Sequence, residues 1–168
     1  MIRKACVDDA SRIAEIHVFG WRCAYRSIIT DEYLFAKASV IKRIDAFRNA
    51  IVEDVEEIYV FEETNIIKAF MTIGKCRNED KSKSFELWGI YVEPLLTGNG
   101  IGTRMVEFCE EKAIERGYKE NVLWVFQDNI KARRFYEKMG YKEDGKEEVI
   151  ERFNTKEIRY VKELKDTK

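Results

Sequence analysis

Three glycines in alternation mark the segment of this sequence best suited to chemistry, Thr97-Gly98-Asn99-Gly100-Ile101-Gly102-Thr103. Glycine lets a backbone approach a bulky group closely, and amides at the start of a helix carry partial positive charge. Together these properties make an anion site suited to a diphosphate, with the Thr103 hydroxyl as a further donor. A plain tight turn would use the same glycines. The strand pattern before them and the helix pattern after them favour the anion site. Two other phosphate motifs fail on the letters. The chain has no Gly-Lys-Ser or Gly-Lys-Thr, which excludes a nucleoside-triphosphate loop. A dinucleotide turn begun at Gly98 or Gly100 would need a third glycine where Thr103 or Met105 stands.

Such a loop needs a strand to deliver it and a helix to follow. Phe85 to Val92 is rich in strand formers, and Pro94 ends it by removing a ladder donor. Beyond the loop, Ile101, Met105, Cys109 and Ala113 recur at the helical period as an inner face, and Gly117 closes that helix. Near the start, Ile2 to Val7 reads as a strand. Asp8 or Asp9 then supplies a carboxylate for the amides of a helix carrying Ala10, Ile13, His17, Trp21 and Tyr25 on one stripe. Asp31 to Phe47 is further helix, broken near Ala38 or Ser39. Glu57 to Phe61, the Thr64-Asn65 turn and Ile66 to Gly74 make a hairpin, and Arg77 to Ser84 a loop. Asn121 to Phe126 is a nearly unbroken apolar run, expected of a central strand covered on both faces. Ile130 to Met139 is a helix ended by Gly140, and Tyr141 onward and Lys156 to Leu164 are the last two strands.

The length of 168 residues suits one domain, 1–168, with a full core. With 30 basic and 31 acidic residues interspersed, the net charge is −1, and no basic stripe points to nucleic acid. Four scattered cysteines and one histidine make no metal-ligand pattern, so free thiols in a reducing cytoplasm are expected. The first 20 residues lack a signal-peptide pattern, and no apolar run is long enough to span a membrane. The exposed final strands offer an edge on which a homodimer could form.

The run Ile90-Tyr91-Val92-Glu93-Pro94-Leu95-Leu96 leading into Thr97-Gly98-Asn99-Gly100-Ile101-Gly102-Thr103 resembles the acetyl-CoA signature of GNAT acetyltransferases, whose loop reads Gln/Arg-x-x-Gly-x-Gly/Ala. It departs at Thr97, where the family usually has Gln or Arg. A second, ordered match follows. Asn129-Ile130-Lys131-Ala132-Arg133-Arg134-Phe135-Tyr136-Glu137-Lys138-Met139-Gly140-Tyr141 is similar to the family element Asn-x-x-Ala-x-x-x-Tyr-x-x-x-Gly-Phe. The start, from Ile2 to Tyr25, also looks like the family's first strand and helix.

The resemblance implies an α/β (α+β) fold. Its mixed, mostly antiparallel sheet of about seven strands would be splayed between strands 4 and 5 and flanked by about four helices. It implies acetyl-CoA as co-substrate and direct transfer of acetyl to a primary amine of a small molecule or peptide. The backbone of Ile90, Tyr91 and Val92 would pair with the pantetheine arm. The amides of Gly98, Asn99, Gly100, Ile101, Gly102 and Thr103 would hold the diphosphate, and Asn129 would touch the cofactor arm. Tyr136 would give its proton to the departing thiolate, a role a phenol can fill because it is protonated near neutral pH. An apolar helix face gives Tyr136 a core role instead, and Asn129 can equally cap a helix. The attacking amine must lose a proton, and Glu86, sharing a strand face with Trp88 and Ile90, is the candidate base. His17 on its apolar stripe reads as a core or groove histidine. Trp21, Tyr25 and Tyr33 with Asp31 and Glu32 could line a pocket for a cationic amine, or simply pack. In the branch acting on ribosomal proteins a glutamate commonly stands where this chain has Trp124, which argues against that branch. Other readings are a non-catalytic coenzyme-A-binding module and an acyltransferase using a longer acyl-CoA.

Overall fold

The hairpin expected around Thr64-Asn65 forms in the computed structural model of the chain, with β2 (Glu57–Glu63) and β3 (Ile66–Lys75) antiparallel and Glu63 opposite Ile66. Thr64 and Asn65 both take positive φ, 52° and 60°, as the mirror-image two-residue turn requires. The structure describes residues 1–54 and 56–165, so Val55 and positions 166–168 of the expected 1–168 domain lie outside the described residues. The other strands are β1 (Ile2–Lys4), β4 (Phe85–Val92), β5 (Glu120–Phe126), β6 (Lys142–Ile150) and β7 (Thr155–Glu163). The helices are α1 (Ala10–Tyr25), α2 (Val40–Val52), α3 (Ile101–Glu115) and α4 (Ile130–Lys138), with a π-wound segment at Glu32–Lys37. The described strands form one sheet in the order β1-β2-β3-β4-β5-β7-β6. The β4–β5 pair is parallel; β1–β2, β2–β3, β5–β7 and β6–β7 are antiparallel. This is the mixed, mostly antiparallel α/β class expected.

The chain groups into two compact units, Met1–Ile73 with Gly89–Met105, and Gly74–Trp88 with the chain from Val106 onward. In the first unit, Ala10, Ile13, Ala14 and Ile16 of α1 are buried with Phe47 of α2, Ile58 and Val60 of β2 and Phe70 of β3. Full burial of each large side chain in such a core contributes about 1.5–3 kcal/mol. The helix break falls where expected. Ala38 is extended (ψ 93°), and the Ser39 hydroxyl accepts the Lys42 amide as the cap of α2. The segment before the break differs from the expected α-helix, with the Ala38 amide reaching back to the Tyr33 carbonyl. Arg22 explains the wider turn, because its guanidinium donates to the carbonyls of Leu34 and Ala38 and takes up part of their bonding capacity. The first strand is also shorter than expected. Asp9 turns its carboxylate away from the amides of α1 to accept the Cys6 amide (2.8 Å) and Arg3, which winds Val7–Asp9 into a 3-10 turn.

In the second unit, β5 pairs with β7 along its whole length but with β4 only from Phe85–Asn121 to Leu87–Leu123. Val122, Leu123, Val125 and Phe126 are buried, as the apolar run predicts. The buried amide of Asn121 donates to the Tyr141 hydroxyl (2.9 Å), so its burial is compensated. Arg159 of β7 is 4% exposed and donates to both carboxylate oxygens of Asp80 and to Asp144. That charge network fastens the loop after β3 to β6 and β7.

Candidate active site

The first unit carries the glycine loop. After β4 the chain makes a 3-10 turn at Pro94–Leu96, and the Thr97 hydroxyl and the Asn99 side-chain Nδ2 donate back to the carbonyls of Pro94 and Leu96. The loop therefore holds its own shape, and Thr97 spends its hydroxyl inside it. Gly98 and Gly100 take φ of +86° and +76°, a region costly for other L-residues. Thr97, Gly98, Asn99 and Gly100 are exposed, and a Cβ at either glycine would meet nothing within 4 Å. The glycines thus serve conformation and access, not packing. The first helical bond of α3 runs from the Arg104 amide to Gly100 (3.1 Å), so the amides of Ile101, Gly102 and Thr103 precede it as donors. A diphosphate fits this donor set.

Ile90, Tyr91 and Val92 lie half-buried on β4 in the same unit. The Tyr91 ring stacks on Phe70 (5.4 Å) and lies 4.9 Å from His17, and its phenol oxygen accepts the Trp21 indole N–H at 2.9 Å. Close approach to α1 depends on Gly20, since a Cβ there would sit 3.2 Å from the Tyr91 ring. His17 is 8% exposed and ringed by Trp21, Phe47, Phe70 and Tyr91. Burial, and then the charge of Arg43, push its pKa down to about 3, so the imidazole is neutral. Trp21 also touches Tyr25 and Tyr33. The acids expected beside these rings are engaged elsewhere, Asp31 with Arg26 (3.6 Å) and Glu32 with Lys37 (3.2 Å).

The second unit carries Glu86, Asn129 and Tyr136. Glu86 is 1% exposed and accepts the Arg77 amide (2.9 Å) and the Arg77 guanidinium, which also lies 4.7 Å over the Trp88 ring. Burial, followed by the charge of Glu148, raises the pKa of Glu157, with Arg77 and Glu86 among its charged neighbours. Asn129 is the N-cap of α4, its side-chain oxygen accepting the Ala132 amide at 3.2 Å. The nitrogen end of that side chain remains a donor for a ligand. Tyr136 is 8% exposed on α4 and meets Tyr141 edge-on at 6.0 Å.

Of the residues singled out from the sequence, the structure places Ile90, Tyr91, Val92 and the loop from Gly98 to Thr103 in one unit and Glu86, Asn129 and Tyr136 in the other. Sequence reasoning did not foresee that division. It missed the Arg77 clamp on Glu86, Glu157 and Arg43. Arg77 had a signal, since a residue just past β3 returns beside β4 when the two strands adjoin. Arg43 gains its surroundings from α1, and Glu157 gains Arg77 and Glu86, far away in sequence, besides its hairpin partner Glu148. Among the described residues no group of three His, Cys, Asp or Glu is placed to hold a metal, and no helix is long and apolar enough to cross a membrane.

Comparison with known proteins agrees with this geometry. The family model described as acetyltransferase (GNAT) family matches residues 18–141. The uncharacterized N-acetyltransferase YuaI of Bacillus subtilis (strain 168) is 25% identical over 128 residues, covering 76% of this chain and 72% of that protein. The spermidine N(1)-acetyltransferase of Thermoplasma acidophilum is 24% identical over 161 residues, covering 90% and 95%. The crystal structure of the PaiA N-acetyltransferase from Thermoplasma acidophilum in complex with coenzyme A has the same fold. It superposes with a TM-score of 0.79 at 20% identity, covering 97% of this chain and 98% of that one. With its glycine loop and a family match across most of its length, the chain belongs to the GNAT family of N-acetyltransferases.

Proposed function

We propose that residues 1–168 work as one N-acetyltransferase domain that moves acetyl from acetyl-CoA to a primary amine of a small molecule or peptide in the cytoplasm. The observation that carries this is the glycine loop, with Gly98 and Gly100 exposed at positive φ and the amides of Ile101, Gly102 and Thr103 ahead of the first helical bond of α3. The amine acceptor is supported by the relative named for spermidine.

Acetyl-CoA, when bound, supplies the thioester whose acetyl carbon accepts the nucleophile. The loop amides from Gly98 to Thr103 bind its diphosphate. The backbone amides of Ile90, Tyr91 and Val92 offer donors to its arm and to the charge developing on the carbonyl oxygen. Asn129 offers its side-chain N–H. Glu86 takes the proton of the ammonium directly or through water, once the Arg77 side chain, 57% exposed, yields part of its contact. The amine nitrogen then forms the new C–N bond as the C–S bond breaks, Tyr136 gives its proton to the leaving sulfur, and the second proton lost by the nitrogen returns to the Tyr136 phenolate directly or through water. A peptide-like amide and free coenzyme A result.

The test is release of thiol from acetyl-CoA across polyamines, amino acids, aminoglycosides and peptide N-termini, with thermal unfolding beside it. Acetyl-CoA at 100 times its Kd should add about 2.7 kcal/mol of stability. No shift at saturation and no thiol release would refute the proposal. A shift with turnover untouched by Tyr136→Phe would refute the acid assignment.

A further inference from the structure

From α1 through α2, residues 10–52, the chain has seven basic and four acidic side chains. All four acids are paired, Glu15 with Arg12, Asp31 with Arg26, Glu32 with Lys37 and Asp45 with Arg48. Arg43 is not among those partners, and among the described residues its guanidinium has no carboxylate. It is half-buried and lies 6.0 Å over the indole of Trp21. Arg43 precedes Phe47 by one helical turn on α2, as His17 precedes Trp21 on α1. The contacts His17–Phe47 (5.6 Å) and Arg43–Trp21 put these four side chains on one seam of the helix pair.

A half-buried guanidinium with no acid partner is an electrostatic vacancy, because a cation removed from water gains most from an anion placed beside it. The second observation is His17. It is more than nine-tenths buried, and its Nδ1 has no hydrogen-bond partner among the described residues. A neutral imidazole beside Arg43 adds no competing charge. The seam also leads to the proposed chemistry, since Trp21 donates to Tyr91 of β4.

We propose that Arg43 on this aromatic seam receives the acidic group of the acceptor, so that the substrate is an amine that also carries a carboxylate. The inference rests on the acetyltransferase reading above. Arg43 sets the orientation. It anchors the carboxylate over Trp21, and the amine end of the same molecule faces β4. The charge pattern disfavours a polyamine, which would bring a second cation beside Arg43 and find every acid of α1 and α2 already taken.

The test uses the full chain with acetyl-CoA and four acceptor sets: L-amino acids, the amides of the same amino acids, dipeptides, and spermidine. Thiol release gives kcat/KM, and amino-acid-induced thermal shifts give binding without turnover. At least one acid should exceed its own amide by tenfold or more. Preference for a free amino acid over dipeptides locates the carboxylate next to the amine, and the opposite order locates it at a peptide C-terminus. Arg43→Glu should reverse the acid-to-amide ratio, and Arg43→Gln should abolish the thermal shift, with far-UV circular dichroism confirming that both variants fold. Equal or better turnover of amides or spermidine, or a ratio unchanged in Arg43→Glu, would overturn the proposal while leaving acetyl transfer intact. Absence of both turnover and shift for every carboxylate overturns it as well, and an Arg43-dependent shift without any turnover overturns the acceptor role while leaving Arg43 as a carboxylate site.

Discussion

The indole N–H of Trp21 donates to the phenol oxygen of Tyr91 at 2.9 Å, joining α1 to the strand that carries the expected cofactor backbone. Trp21→Phe keeps the ring contact with His17 and removes this bond. It should cost about 0.5–1.5 kcal/mol in urea unfolding. It should also raise the acceptor KM more than the acetyl-CoA KM, because the loop from Gly98 to Thr103 is untouched. Steady-state kinetics with each substrate varied in turn checks the split.

The glycine loop gives a sharper outcome. Gly100→Ala places a Cβ in a positive-φ backbone at a strain of about 1–2 kcal/mol, in a position with open space around it. Packing is not disturbed, so the loss should appear in ligand binding. The acetyl-CoA-induced thermal shift is the measurement, and a variant with an undiminished shift contradicts the diphosphate assignment.

Acid and base separate by substitution. Tyr136→Phe should lower kcat by about 100-fold or more with little change in acetyl-CoA affinity. Glu86→Gln should lower kcat/KM with little change in acetyl-CoA affinity. If Glu157→Gln lowers it instead, the base is Glu157, whose pKa burial raises, and the parent's kcat/KM should fall as pH drops through that raised value.

His17 links stability to pH. Its folded pKa of about 3 lies below its ordinary value of 6.5. Between those values the unfolded chain binds more protons, so stability falls as pH drops from 6.5 toward 3, by up to a few kcal/mol. Above pH 6.5 both states are neutral there, and the contribution is flat. Urea unfolding from pH 4 to 7 should show this loss in the parent and a shallower slope in His17→Phe.

Arg159→Met leaves Asp144 and Asp80 without their shared cation. Unfolding free energy should fall by about 2–3 kcal/mol, since a buried, multiply bonded charge is being removed from its partners. Thermal and urea unfolding measure it, and Asp80→Asn, at an exposed carboxylate, should cost less.

Much of this protein was legible in its letters. Ile101, Met105, Cys109 and Ala113 are all buried, as their spacing required, and Gly98, Gly100, Gly117 and Gly140 all take positive φ. The Thr64-Asn65 hairpin, the break at Ala38-Ser39 and the order of elements follow from local rules of turn chemistry and periodicity, which act over a few residues. The two ordered motifs carried the family. Tertiary structure alone decided what depends on residues distant in sequence. The π-wound segment owes its winding to Arg22 reaching Leu34 and Ala38. Asp9 left the amides of α1 because Arg3 and the Cys6 amide compete for it. Glu86 is clamped and His17 is held neutral because burial removes water and leaves each group to whatever charge the fold sets beside it, Arg77 for one and Arg43 for the other. Sequence spacing names such groups, but only packing assigns their partners.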